Sequence, residues 1–109
     1  MKTSAKLDTG AAEALKKAFG EAITLIPGKT ERWLMINIED GCDMAFAGDF
    51  KSGCAMLEVE LFGAAKNEAY DSLTKRLCDV VSEKTGVSPN RIYVKYAEVG
   101  HWGYNGFNF

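Results

Sequence analysis

The chain has 109 residues, 47% of them apolar and 26% charged, with a net charge of −2, which fits one ordinary soluble globular domain with a modest core that association would enlarge. Its 13 basic residues are dispersed among 15 acidic ones instead of lying in a stripe, which argues against nucleic acid as the main partner. No stretch approaches eighteen apolar residues and the opening MKTSAKLDTG has no apolar signal-peptide core, so no membrane partner and a cytoplasmic location are expected, with non-classical secretion as the alternative.

In chain order, Asp8 to Ile26 reads as a helix, because Ala12, Leu15, Phe19, Ala22, Ile23 and Ile26 recur at three- and four-residue spacing while Glu13, Lys16, Lys17 and Glu21 take the other face. Asp8 or Thr9 caps it. After Gly28 and a polar turn, the apolar run Trp33 to Ile38 predicts a strand. Glu39 to Gly53 is a long connection with a short edge strand at Met44 to Phe46. Ala55 to Phe62 predicts a strand, and Asn67 to about Lys84 a second helix, capped by Asn67 and carrying Tyr70, Leu73, Leu77, Val80 and Val81 as its stripe. Gly86 ends it, and Ile92 to Tyr96 is the next strand. The tail Gly100 to Phe109 holds four large aromatics, Trp102, Tyr104, Phe107 and Phe109, which predicts a short hairpin buried against a neighbouring subunit.

An ungapped internal repeat underlies this order. Lys16 to Gly41 aligns with Lys75 to Gly100 at a constant offset, 75 − 16 = 59, so that Arg32 meets Arg91, Glu39 meets Glu98 and Gly41 meets Gly100. The strand Ala55 to Phe62 has its first-copy partner at 55 − 59 = −4 to 62 − 59 = 3, of which only the last three positions exist. Two βαβ units follow. Their crossovers lay both helices on one face of a four-stranded sheet, an α+β fold related to ferredoxin-like split arrangements, as a single domain over residues 1–109. The chain is expected to begin inside its first unit.

Several chemically active residue types carry no chemistry on sequence grounds. Cys42, Cys54 and Cys78 form an odd set without CxxC spacing and read as buried or half-buried thiols, not a disulfide framework or zinc site. His101 has no companion at metal-ligand spacing and reads as a surface or interface residue. Glu39, Asp40, Asp43 and Asp49 lack the alternation and turn glycine of a calcium loop and read as a solvated connection. No metal or cofactor is expected.

The segments PGKTERWLMINIED, DMAFAGD, VELFG, SPNRIYVKY and HWGYNGFNF, in this order and spacing, resemble the macrophage migration inhibitory factor and phenylpyruvate (dopachrome) tautomerase family, especially its bacterial members. The resemblance covers the chain from Lys2 onward. It implies a homotrimer of two-βαβ subunits around a central channel, with active sites between neighbours, in which an N-terminal proline moves a proton between the α-carbon and the oxygen of an aromatic α-keto acid. A secondary amine is too basic in water for this task, and burial near a cation lowers its pKa toward neutrality.

Residue by residue, the resemblance makes Lys29 the cation that binds the substrate carboxylate, Phe62 an apolar position beside the pocket, and Tyr93 a tyrosine contributed across the subunit interface. Lys95 stands where animal members carry an asparagine that donates to the substrate carbonyl, and Trp102 and Tyr104 match the pocket wall. Each has a plainer alternative: a surface lysine at a helix C-terminus for Lys29, core packing for Phe62, an aromatic strand residue for Tyr93, a solvent-facing strand residue for Lys95, and tail packing for Trp102 and Tyr104. Animal members also carry a CxxC pair, but Leu57 follows Cys54 at that spacing, so no thiol chemistry carries over.

The prolines here are Pro27 and Pro89, both in turns after helices. Bacterial relatives begin Met-Pro-Phe-Ile-Asn-Val before a segment like KTSAKL. The catalytic proline is therefore expected four residues upstream of Met1, roughly 13 Å along an extended strand. Either the natural start lies upstream, and the chain as written is inactive, or the protein is a non-catalytic, cytokine-like binding or signalling relative. A ferredoxin-like RNA-binding domain is disfavoured, because the strand Ala55 to Phe62 carries Glu58 and Glu60 where such a surface needs aromatics and bases.

Overall fold

The computed structural model describes residues 1–109. Its regular elements are β1 (Lys2–Thr3), α1 (Thr9–Ala22), β2 (Ala55–Phe62), α2 (Asn67–Thr85), β3 (Ile92–Val99), β4 (Gly103–Tyr104) and β5 (Phe107–Asn108). Neither helix is long and apolar enough to cross a membrane.

Asp8 caps α1: its Oδ1 accepts the Ala11 amide at 2.7 Å, satisfying one of the orphan donors of the first turn. The three-four spacing of Leu15, Phe19 and Ala22 turns one face of α1 inward, and a single 3₁₀ turn at Ile23–Leu25 carries the burial on to Ile26. Helix α2 differs at its start. Asn67 is its first helical residue and Lys66 occupies the cap without a side-chain bond, so the acceptor expected of Asn67 is not supplied. At its other end Gly86 adopts φ 77° and its amide closes on the Ser82 carbonyl at 2.9 Å, a left-handed stop that glycine reaches without steric cost.

β2 and β3 run parallel in unbroken register from Ala55↔Ile92 to Phe62↔Val99, while β1 pairs antiparallel with β2 through Lys2↔Met56 and Thr3↔Ala55. Period-two alternation sends Ala55, Leu57 and Leu61 against Leu15, Phe19, Leu73, Leu77 and Val81, so both helices cover one face of the sheet. Each fully buried leucine contributes roughly 1.5–3 kcal/mol of transfer free energy. The other face carries Glu58, Glu60, Tyr93 and Lys95 toward solvent. The α+β plan of two helices on one side of a mixed sheet is thus realised.

The strand content differs from the sequence expectation in two places. Trp33 to Ile38 is not a strand: Glu31–Trp33 forms a 3₁₀ turn, and Leu34 to Ile38 is unladdered chain that joins the sheet only through the bridge Lys2↔Glu39. The sheet therefore has three strands, β1-β2-β3, with the fourth position filled by unpaired chain. A strand exists only where a partner accepts its ladder, and β1 ends before reaching Leu34 to Ile38. Met44 to Phe46 likewise forms no edge strand; a single Phe46↔Asp49 bridge closes a turn in which Ala47 and Gly48 adopt φ 53° and 78°.

The tail is the expected hairpin. Asn105 and Gly106 both have positive φ, 50° and 88°, the combination a two-residue primed turn requires. Within the single chain its aromatics stay open to solvent, Phe107 by 78%.

Candidate functional site

Two cavities adjoin the edge of β2 that faces away from β3, and together they form the candidate site. The larger, about 390 Å³, lies between the turn after α1, the end of β2 and the tail hairpin. Gly28, at φ 83°, reverses the chain, and the Lys29 amide returns to the Ile26 carbonyl at 3.0 Å, which aims the Lys29 side chain across the cavity. Its Nζ donates to the Phe62 carbonyl oxygen at 2.7 Å. That bond uses one of the three ammonium protons and leaves two for an incoming anion.

Aromatic rings build the walls. Trp33 meets Tyr104 edge-on at 5.3 Å between centroids, Phe62 meets Phe109 at 5.4 Å, and Tyr104 stacks on Phe109 at 6.4 Å. The Phe109 amide closes on the Trp102 carbonyl at 2.9 Å, so the hairpin backbone holds Trp102 and Phe109 together at the rim. Lys29 and Glu60 are the only charged residues of the lining. An ammonium at the end of an aromatic slot suits a planar ligand with an anionic head, because the low-polarity walls strengthen its Coulomb attraction.

The structure brings together four of the six site residues anticipated from sequence, Lys29, Phe62, Trp102 and Tyr104. Tyr93 and Lys95 lie elsewhere. Tyr93, 58% exposed, rests against Phe46 at 5.1 Å on the open sheet face, and Lys95 pairs with Glu58 at 3.6 Å. Neither lines this cavity within one chain. Sequence inspection missed Trp33, Glu60 and Phe109. Glu60 was accessible by strand alternation from Phe62, and Phe109 by its place in the aromatic tail. For Trp33 no local signal exists, since its ring reaches the site only because the hairpin folds back onto it.

The smaller cavity, about 120 Å³, is a groove between β2 and Leu34 to Asn37, floored by Phe19, Ile23, Leu73 and Leu77, and it shares Ile23, Leu34 and Glu60 with the larger one. The Met1 amine closes one end by donating to the Asn37 carbonyl at 2.8 Å, and burial is the main cause that lowers its pKa from 8.0. The groove therefore runs from the end of β1 to the Lys29 cavity.

The sequence matches the family model "Macrophage migration inhibitory factor (MIF)" over residues 7–109. It is 30% identical over 84 residues to the macrophage migration inhibitory factor of Xenopus laevis, covering 75% of this chain and 72% of that protein. Among solved structures it resembles that of Leishmania major MIF2, with TM-score 0.89, 28% identity and coverage of 99% of this chain and 92% of the other. A fused 4-OT described as a symmetric trimer shares the fold alone, at TM-score 0.78 and 20% identity, with 98% and 93% of the two chains covered. With all but its first six residues matched by the family model and the same fold in these structures, the chain belongs to the macrophage migration inhibitory factor family.

Proposed function

We propose that this fold serves keto-enol tautomerisation of aromatic α-keto acids, phenylpyruvate-like or dopachrome-like, in a homotrimer. One observation carries the proposal: the Lys29 ammonium, 2.7 Å from the Phe62 carbonyl, stands in an aromatic slot of about 390 Å³. The substrate carboxylate takes the free Lys29 protons and its ring takes the Trp33, Tyr104 and Phe109 walls. A base then removes the proton from the carbon α to the carbonyl. The C–H electron pair becomes the enol C=C bond, and the carbonyl π pair moves to oxygen, which takes up a proton.

The base is an N-terminal secondary amine, proline, on a strand that extends β1 beyond Met1. The β1–β2 pairing obeys a constant sum, 2 + 56 = 58, so the fourth residue upstream of Met1, position −3, lies opposite residue 58 + 3 = 61. Leu61 lines the Lys29 cavity, and this supports delivery of an amine into it. Tyr93 and Lys95 enter the pocket from a neighbouring subunit, a role compatible with their place on the open sheet face.

The test fuses Pro-Phe-Ile-Asn ahead of residue 1, with methionine or valine there, and follows phenylpyruvate enolisation by the ultraviolet absorption of the enol–borate complex. Activity should appear and fall at least about a hundredfold in Lys29→Ala. If that variant is as active as its parent, Lys29 has no part in the chemistry. A second reading, a non-catalytic binding protein, is favoured by the open aromatic surface of the tail, with Phe107 exposed by 78%. It requires a folded trimer that remains inactive with the proline strand in place, and sedimentation beside the same assay separates the two.

A further inference from the structure

Two residue pairs in this chain have the composition for spontaneous backbone chemistry, Asp40–Gly41 and Asn105–Gly106. In each, the side-chain carbonyl carbon of the first residue lies within reach of the next main-chain nitrogen, and glycine adds no Cβ to obstruct the approach. The other asparagines, Asn37, Asn67, Asn90 and Asn108, all precede larger residues.

The fold treats the two pairs differently. The Gly41 amide donates to the Ala5 carbonyl at 2.9 Å, and the Asp40 carboxylate accepts the Leu7 amide at 2.8 Å, so nucleophile and target are both pinned. Neither the Gly106 amide nor the Asn105 side chain makes a hydrogen bond within the chain. Both residues are exposed, and no atom lies within 4 Å of the place a Gly106 Cβ would take. They form the tip of a hairpin whose strands are two residues each, so little packing resists the rotation that brings the Gly106 nitrogen onto the Asn105 Cγ.

We infer that Asn105–Gly106 is a self-modification site, converted in the folded chain to isoaspartate and aspartate, while the fold holds Asp40–Gly41 inert. The Gly106 nitrogen gives up its proton and attacks the Asn105 Cγ. The N–Cγ bond forms, the Cγ–Nδ2 bond breaks, and ammonia leaves with that proton. The five-membered imide then takes up water. Addition at Cγ breaks the new bond and leaves aspartate; addition at the main-chain carbonyl carbon breaks the original peptide bond and leaves isoaspartate, with the chain rerouted through Cγ. Water is the one co-reactant.

The two products differ in consequence. Aspartate adopts positive φ much as asparagine does and keeps the turn. Isoaspartate adds a methylene to the main chain, which a two-residue turn closed by Tyr104↔Phe107 does not accommodate. Tyr104 and Phe109 wall the Lys29 cavity, so the isoaspartyl chain loses that wall. The modification therefore limits the working life of the cavity, whatever ligand it takes.

The chain is incubated folded and in guanidinium chloride, in the same mildly alkaline buffer. Mass spectrometry of tryptic peptides follows residues 40 and 105, with electron-transfer fragmentation to tell isoaspartate from aspartate. Asn105 should convert in the folded chain within about fivefold of its unfolded rate, mainly to isoaspartate, and at least about tenfold faster than Asn108. Asp40 should isomerise at least about tenfold more slowly folded than unfolded. The Phe109 amide should exchange faster in the purified isoaspartyl chain than in Asn105→Asp. Greater folded-state protection of Asn105, a rate that Asn108 matches, less protection of Asp40, or equal Phe109 exchange in the two chains each overturns the inference.

Discussion

Arg32 and Arg91 occupy equivalent places in the two repeat copies, yet the structure gives them unequal work, and replacing each by alanine measures the difference. The Arg91 side chain is 15% exposed. Its Nε donates to the Gly53 carbonyl at 2.8 Å, and Nη2 donates to the carbonyls of Asp49 and Ser52, both at 3.1 Å. Its guanidinium also lies over the Phe46 ring at 5.3 Å. Arg32 only stacks on Trp33, at 5.1 Å. A hydrogen bond from a cation contributes about 1.5 kcal/mol or more net, and three that share one side chain are not additive because freed carbonyls regain water. Arg91→Ala should therefore cost about 3–4 kcal/mol, against less than about 1 kcal/mol for the exposed stacking of Arg32.

Urea unfolding followed by circular dichroism at one fixed protein concentration reads this out. With an m value of about 1.5 kcal/mol/M, the Arg91→Ala midpoint falls by about 2 M and the Arg32→Ala midpoint by well under 1 M. Arg91→Lys keeps the charge but reaches fewer carbonyls, so it should lie between; it also serves if the alanine variant does not fold. Costs for Arg91→Ala and Arg32→Ala within about 0.5 kcal/mol of each other would falsify the claim that Arg91 holds residues 46–53 onto the sheet.

Three further outcomes follow from the structure. The main-chain amides of Ser52 and Lys51 hold the Asp49 carboxyl down to about 2 from 3.8, so its stabilisation is complete above pH 3.8 and disappears as pH falls through about 2. Asp49→Asn should flatten that part of the stability–pH curve, and an unchanged acid limb in urea titrations between pH 2 and 4 refutes the assignment. Tyr96→Phe should cost about 1 kcal/mol, because its hydroxyl sits 2.8 Å from Thr74 Oγ1 and donates to the Tyr70 carbonyl at 3.3 Å. Burial raises the Tyr96 pKa above 10.0, so its ionisation destabilises the fold as pH rises beyond that value, and the phenylalanine variant should lose less stability there. Gly106→Ala places a Cβ at φ 88° and should cost about 1 kcal/mol, loosening the hairpin; faster exchange of the Phe109 amide is the signature, and an unchanged rate counts against it.

Both helices, β2 and β3 were legible from residue order, because periods of 3.6 and 2 are local properties that survive without knowledge of neighbours, and the tail hairpin was legible from its cluster of aromatics. Trp33 to Ile38 has the composition of a strand and its repeat partner is one, yet it lacks a ladder, because hydrogen-bond partners are not encoded in the segment that needs them. The same limit applies to the site. Lys29, Phe62, Trp102 and Tyr104 were recognisable by resemblance to the family. That Lys29 reaches the Phe62 carbonyl, 33 positions away, was not recognisable, and neither was the separation of Tyr93 and Lys95 from the cavity.

By itself the sequence determined the repeat, both helices, β2, β3 and the family, since all of these are patterns along one dimension. Tertiary structure alone decided that Leu34 to Ile38 stays unladdered beside β2, that the groove between them adjoins the Lys29 cavity, and that Arg91 clasps a loop while Arg32 does not. Those features depend on which backbone groups find partners across dozens of residues. Such pairing is settled only when the helices bury their apolar faces on the sheet and bring the distant edges together.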